Sequence, residues 1–132
     1  MKEDLQRIFD TIIRSTIEFA VPTYGPMINK EMSDEIECIQ KRASKIIYGW
    51  DSHYDELVSI GKFETLKTRG ERLILNFAKK TEKNPRFKEW FPEKNYEDLN
   101  LRSEKKFLEK HARTDRLKNS PLYYMRRTLN DN

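Results

Sequence analysis

The feature that most constrains this chain is a pair of amphipathic patterns, residues 5–20 and 32–47, joined by Val21-Pro22-Thr23-Tyr24-Gly25-Pro26. Leu5, Ile8, Phe9, Ile12, Ile13 and Ile17 recur at three and four residues, the spacing of one helical face. Asp4, Arg7, Arg14 and Glu18 take the opposite face. Pro22 is expected to end this helix, because it disfavours helical geometry at Val21 and lacks a backbone donor. Met32, Ile36, Ile39, Ala43, Ile46 and Ile47 repeat the helical spacing. Asn29 or Ser33 suits the start, with Asp34, Glu35 and Glu37 near the positive end of the helix dipole. Lys41, Arg42 and Lys45 lie near its negative end, and Gly49 is a suitable stop. A linker of roughly ten residues makes antiparallel neighbours of the two helices.

A helix pair needs further partners to close a core. The remaining patterns supply them within 132 residues, one domain's worth of chain. Ser52 and Asp55 resemble a capping box before a short helix that ends at Gly61. Residues 67–83 follow, with Leu66, Leu73, Ile74, Phe77 and Ala78 as a face and Thr65 as a cap. Gly70 in this segment marks either close packing or a delayed helix start, and Asn84-Pro85 closes it. Phe87, Trp90 and Phe91 read as one turn that packs aromatics on the core, the other reading being stacking on bases. Residues 94–102 show no period and read as a loop. Residues 103–118 are dominated by charge and are compatible with helix, extended arm or disorder. Ser120-Pro121 opens a last helix with Leu122, Met125 and Leu129 on one face and Tyr123, Tyr124, Arg126 and Arg127 around its rim. The fold expected is mainly α: a small bundle of about five helices on an N-terminal antiparallel pair, with a basic, partly extended C-terminal arm. The division expected is a helical domain over 1–93 and the arm with its terminal helix over 94–132.

Charge is unevenly spread. Residues 1–60 carry 7 Lys/Arg against 11 Asp/Glu, and residues 61–132 carry 19 against 11. A basic half suggests a polyanion partner, and a solvated lysine-rich surface is the plainer alternative. Arg113, Thr114, Asp115, Arg116, Lys118 and Ser120 form the best candidate contact region, since cations and hydroxyls bind phosphates. The other reading of that stretch is a structural arm held by ion pairs. No apolar run approaches the ~18 residues of a membrane span. The charged N-terminus does not resemble a secretory leader. The single cysteine, Cys38, rules out an internal disulfide and suits an intracellular compartment, cytoplasm or nucleus. It lies beside an apolar face, so a buried, inert thiol is expected.

Catalytic chemistry is hard to assemble from these residues. With two histidines and one cysteine there is no zinc finger or knuckle. His53 next to Asp51 reads as a helix cap, and His111 among lysines and arginines as a solvated side chain. No glycine-rich phosphate loop is present. Acid pairs such as Asp34-Glu35 and Glu97-Asp98 are ordinary surface features. The chain is therefore not expected to be an enzyme, and no cofactor or metal is implied.

The order of several motifs points to a family. They are Ile13-Arg14-Ser15-Thr16-Ile17-Glu18-Phe19-Ala20, Val21-Pro22-Thr23-Tyr24-Gly25-Pro26, and Ile39-Gln40-Lys41-Arg42-Ala43-Ser44-Lys45-Ile46-Ile47-Tyr48-Gly49. Asp51-Ser52-His53-Tyr54-Asp55-Glu56-Leu57, Phe77-Ala78-Lys79-Lys80, Asn84-Pro85-Arg86-Phe87 and Trp90-Phe91-Pro92 follow. Arg113-Thr114-Asp115-Arg116 and Ser120-Pro121-Leu122-Tyr123-Tyr124-Met125 close the series. Nearly the whole chain resembles the C-terminal region of reverse transcriptases from jockey-like and related non-LTR retrotransposons. The resemblance implies a thumb and post-thumb segment of an RNA-directed DNA polymerase, helical and gripping a template–primer duplex by its backbone. The family's Tyr-x-Asp-Asp motif has no counterpart here, so its two-metal chemistry does not carry over. The expected role is sequence-independent binding to the backbone of RNA or an RNA–DNA hybrid. The contacts are Lys41, Arg42, Lys45, Arg113, Arg116, Lys118, Arg126 and Arg127. The alternative is a helical protein-interaction or self-association module that uses exposed apolar surface, with no nucleic-acid role.

Overall fold

A computed structural model describes residues 1–93, 105–109 and 111–132. Among these the chain is mainly α-helical, without strands, and Glu93 and Phe107 form one isolated antiparallel bridge. In order come α1 (Lys2–Ile8), a π-helical turn (Phe9–Arg14), α2 (Ser15–Glu18), α3 (Val21–Tyr24) and a 3-10 turn (Gly25–Met27). Next are α4 (Lys30–Tyr48), α5 (Tyr54–Ser59), α6 (Leu66–Lys83), a 3-10 helix (Pro85–Trp90), α7 (Asp115–Lys118) and α8 (Pro121–Asn130). Five of these α-helices, α1, α4, α5, α6 and α8, have six residues or more. The chain divides into two compact units, one of residues 1–21 and 28–72, the other of residues 22–27 and 73–132. The expected domain boundary at 93/94, the loop expected over 94–102 and the Glu97-Asp98 pair fall on or against residues outside those described.

The first unit is built on α1, its π turn and α4. Phe9 shares a core with Ile47, Leu57 and Phe63, and Arg14 reaches Gln40. Numbers rise along one helix as they fall along the other, so the pair is antiparallel. The phase of both faces differs from the simple apolar pattern. In a π turn each hydrogen bond spans five residues, so side chains beyond it are rotated relative to an unbroken α-helix. Phe9 is buried, whereas Ile8, Ile12 and Ile13 are exposed. Arg14, expected on the outer face, has a side chain only 11% exposed. On α4 the buried stripe is Gln40, Ser44 and Ile47, and Met32, Ile39 and Ile46 face solvent.

The ends of α4 follow local chemistry. Asn29 Oδ1 accepts from the Met32 N–H at 2.8 Å, satisfying a free donor of the first turn. Gly49 takes φ 110°, a conformation that a side chain would strain. Ser52 and Asp55 do not form the expected box. His53 is the residue before α5 and makes no side-chain cap, while Ser52 Oγ donates to the Gly49 carbonyl at 2.6 Å. Thr65 does cap α6, accepting from the Thr68 N–H at 3.2 Å. Pro22 sits in the first turn of α3, where its missing donor costs nothing, and the preceding helix has already ended at Glu18.

Gly70 is inside α6 and buried, so it does not mark a delayed helix start. A Cβ there would lie 3.4 Å from Val21 Cγ1. That is ordinary contact, so Gly70→Ala is expected to leave stability unchanged or raise it by up to about 1 kcal/mol. Gly70→Leu overfills the site and is expected to cost about 1–3 kcal/mol. Urea midpoints of the two variants check both signs.

The second unit buries Ile74, Ala78 and Thr81 from α6, with Phe91, Phe107 and Met125. Phe77, expected in this face, is 43% exposed. Of the aromatic turn, Phe91 is buried, Phe87 half-buried and Trp90 exposed. Of the charge-dominated stretch, residues 105–109 and 111–114 are described without helix, and α7 follows them. Asn130, at the end of α8, reads the backbone of Phe107 on both sides. The Phe107 N–H donates to Asn130 Oδ1 at 2.8 Å, and Asn130 Nδ2 donates to the Phe107 carbonyl at 3.1 Å. Phe91 and Phe107 meet edge-on, 5.6 Å apart.

Candidate nucleic-acid interface

The cations of α4 are aimed by what its other side binds. Gln40 is fully buried, and its amide is the hub of a polar network. Its Oε1 accepts from Arg14 Nη2 at 3.1 Å, and its Nε2 donates to Tyr54 OH at 2.6 Å and the Glu64 carbonyl at 2.8 Å. Tyr54 OH in turn donates to Glu37 Oε1, and Glu37 Oε2 accepts from the Leu66 N–H at 2.9 Å. Burial, and then the bond to Glu37, push the Tyr54 hydroxyl well above the ordinary phenol range. Arg14 pairs with Asp10 at 2.7 Å and lies over the Phe9 and Phe63 rings. Arg69 pairs with Glu18, whose carboxylate holds the guanidinium pKa up.

With Gln40 and Ser44 fixed inward, Lys41, Arg42 and Lys45 are exposed. Among the described residues none of the three has a carboxylate partner within ion-pair distance. Lys41 Nζ lies 5.7 Å from the Tyr54 ring centre, and Lys45 Nζ lies 5.9 Å from that of Trp50. Trp50 is 76% exposed. Counting charges passes over Trp50, but its place just past the Gly49 stop removes it from the buried stripe of α4. Arg42 faces differently. It borders an apolar groove together with Ile13, Ile39 and Ile46.

In the second unit Arg113, Arg116 and Lys118 are exposed, and none makes an ion pair among the described residues. Thr114 Oγ1 caps α7 by accepting from the Leu117 N–H at 3.2 Å. Arg127 is half-buried, its guanidinium 5.2 Å from the Tyr124 ring centre. Arg126 corrects the rim expected around α8. It is 8% exposed, and its Nε donates to the Trp90 carbonyl at 2.6 Å. Burial pulls its pKa down from the usual guanidinium value. A side chain so placed holds the 3-10 helix to α8 rather than meeting a ligand.

The other sequence candidates lie apart from this chemistry. Cys38 is exposed, not buried as expected, because the π turn and the polar stripe leave that side of α4 open. His53 and His111 are exposed. Among the described residues no group of three His, Cys, Asp or Glu side chains is placed to hold a metal ion. No described helix is long and apolar enough to cross a membrane. Comparison with protein-family models, with curated proteins and with solved structures gives no match.

Proposed function

We propose that this chain is a non-catalytic helical module that binds the backbone of RNA or an RNA–DNA hybrid without sequence preference. It is akin to the thumb region of a retrotransposon reverse transcriptase. The observation that carries the reading is the Lys45–Trp50 pair. A tryptophan 76% exposed beside an exposed lysine offers a base a stacking face and its phosphate a cation. Lys41 adds a second charge on the same helix, and Arg113, Arg116 and Lys118 give the second unit its own set of uncommitted cations. Arg127 is half-buried, and Arg126 is left out of the set by its burial.

Two variants test the reading by fluorescence anisotropy with a labelled hybrid. Trp50→Ala is expected to weaken binding by about 1–3 kcal/mol, the usual worth of one stacked base. Reversing Arg113 and Arg116 to glutamate is expected to weaken binding to all sequences alike, because phosphate contacts carry no sequence information. Affinity unchanged in both variants would remove the proposed contacts.

One observation favours the alternative of a protein-interaction or self-association module. Ile8, Ile12, Ile13, Ile39 and Ile46 are all more than 40% exposed within the first unit. A run of large apolar side chains in water marks a surface that associates.

A further inference from the structure

The exposed side of α4 has a symmetry that specifies its partner. Met32, Ile39 and Ile46 are 54%, 47% and 63% exposed, and they are spaced by seven residues. Seven residues are close to two turns, so the three form one stripe along the helix. The stripe lies away from the buried Gln40, Ser44 and Ile47. Glu35 and Arg42 flank it, again seven residues apart, and both line the groove that Ile39 and Ile46 share with Ile13. Neither Glu35 nor Arg42 has an ion-pair partner among the described residues.

We infer that this face binds a second copy of the same chain, α4 against α4, in an antiparallel pair related by a twofold axis. Charge complementarity chooses the occupant. The midpoint between Glu35 and Arg42 falls between residues 38 and 39. A twofold axis there sets Glu35 of each copy opposite Arg42 of the other, forming two ion pairs. The same axis sets Ile39 near its own mate and Met32 near the other copy's Ile46, within about one residue's rise of 1.5 Å. Three apolar layers and two ion pairs therefore come from a single register. A twofold contact is self-complementary and closes, so the assembly stops at a dimer. A parallel pairing puts Glu35 beside Glu35 and Arg42 beside Arg42, and like charges reject it. The inference does not rest on nucleic-acid binding, since Lys41, Lys45 and Trp50 are not part of this stripe.

The test is the mass of the full chain by sedimentation equilibrium, with reductant present so that the exposed Cys38 cannot cross-link copies. The mass is expected to rise with concentration from 15.9 kDa to twice that value and no further. Ile39→Lys is expected to hold the chain at monomer mass. Glu35→Arg alone and Arg42→Glu alone are each expected to weaken the dimer more than about tenfold, because each sets like charges opposite in two places. The double variant Glu35→Arg/Arg42→Glu is expected to dimerise like the parent. An equimolar mixture of the two single variants is expected to form a heterodimer in which both ion pairs are restored. All these side chains are in solvent in one chain, so circular dichroism of the variants is expected to match the parent. A parent that stays monomeric at high concentration overturns the inference, as does a dimer indifferent to Ile39→Lys. Single charge variants that dimerise as tightly as the parent, or a double variant that fails to recover, overturn the register.

Discussion

Phe63→Ala is expected to lower the stability of the first unit by about 3–5 kcal/mol, the usual cost of deleting a buried aromatic ring. Phe63 is only 3% exposed, although it lies in the loop between α5 and α6. Its ring meets those of Phe9, Tyr48 and Tyr54 at centre distances of 6.0, 5.9 and 6.2 Å. The Arg14 guanidinium lies 5.9 Å from the same centre. Removing the ring takes a wall from three aromatic contacts at once and leaves a cavity that helices on either side cannot readily close. Phe63→Leu keeps much of the volume and is expected to cost less than half as much. Urea denaturation followed by circular dichroism checks both values. A loss below about 1 kcal/mol for the alanine variant would mean that the loop does not close the core.

The second large effect is at Gln40. Gln40→Leu is close to isosteric, yet it is expected to cost about 3–5 kcal/mol, because a charged guanidinium and two neutral polar groups lose their partner together. Gln40 is fully buried, and the Arg14 side chain beside it is only 11% exposed. Among the described residues Arg14 Nε is already buried without a hydrogen-bond partner, which leaves the guanidinium little reserve. Tyr54→Phe removes the hydroxyl that joins Gln40 to Glu37, two bonds of the same network, and is expected to cost about 1–3 kcal/mol. The two changes share Tyr54 OH, so the double variant is expected to cost at least about 1 kcal/mol less than the sum of the singles. Additive losses would show that the groups act separately.

The same residues mark where the sequence is legible and where it is not. The extent of α4 follows from Asn29, the apolar spacing and Gly49, all of which act locally. The opening of α8 at Ser120-Pro121 is local in the same way. Which side of α4 is buried does not follow, because the buried stripe holds Gln40 and Ser44 and an apolar count assigns both to water. The burial of Gln40 is matched by Arg14, Tyr54 and Glu64, which are remote in sequence, while Ser44 Oγ donates to the Lys41 carbonyl of its own helix at 2.7 Å. The π turn at Phe9–Arg14 is equally hidden, since nothing in its composition separates it from an α-helix of the same residues. Charge alone places Arg126 on a rim, but the Trp90 carbonyl draws it inside. Of the candidate contacts, Lys41, Arg42, Lys45, Arg113, Arg116 and Lys118 are exposed as their residue types suggest, and Trp50 joins them only once the end of α4 is known.

The most direct measurement of the proposed role is the salt dependence of binding to two unrelated RNA–DNA hybrids of equal length. Each phosphate contact contributes about 0.7–0.9 to the slope of log K against log salt. With three to five of the exposed cations engaged, a slope of roughly −2 to −5 is expected, the same for both hybrids. The Arg113→Glu/Arg116→Glu variant is expected to flatten it by about two. A flat line, or a slope and affinity that differ between the two sequences, would contradict binding through the backbone.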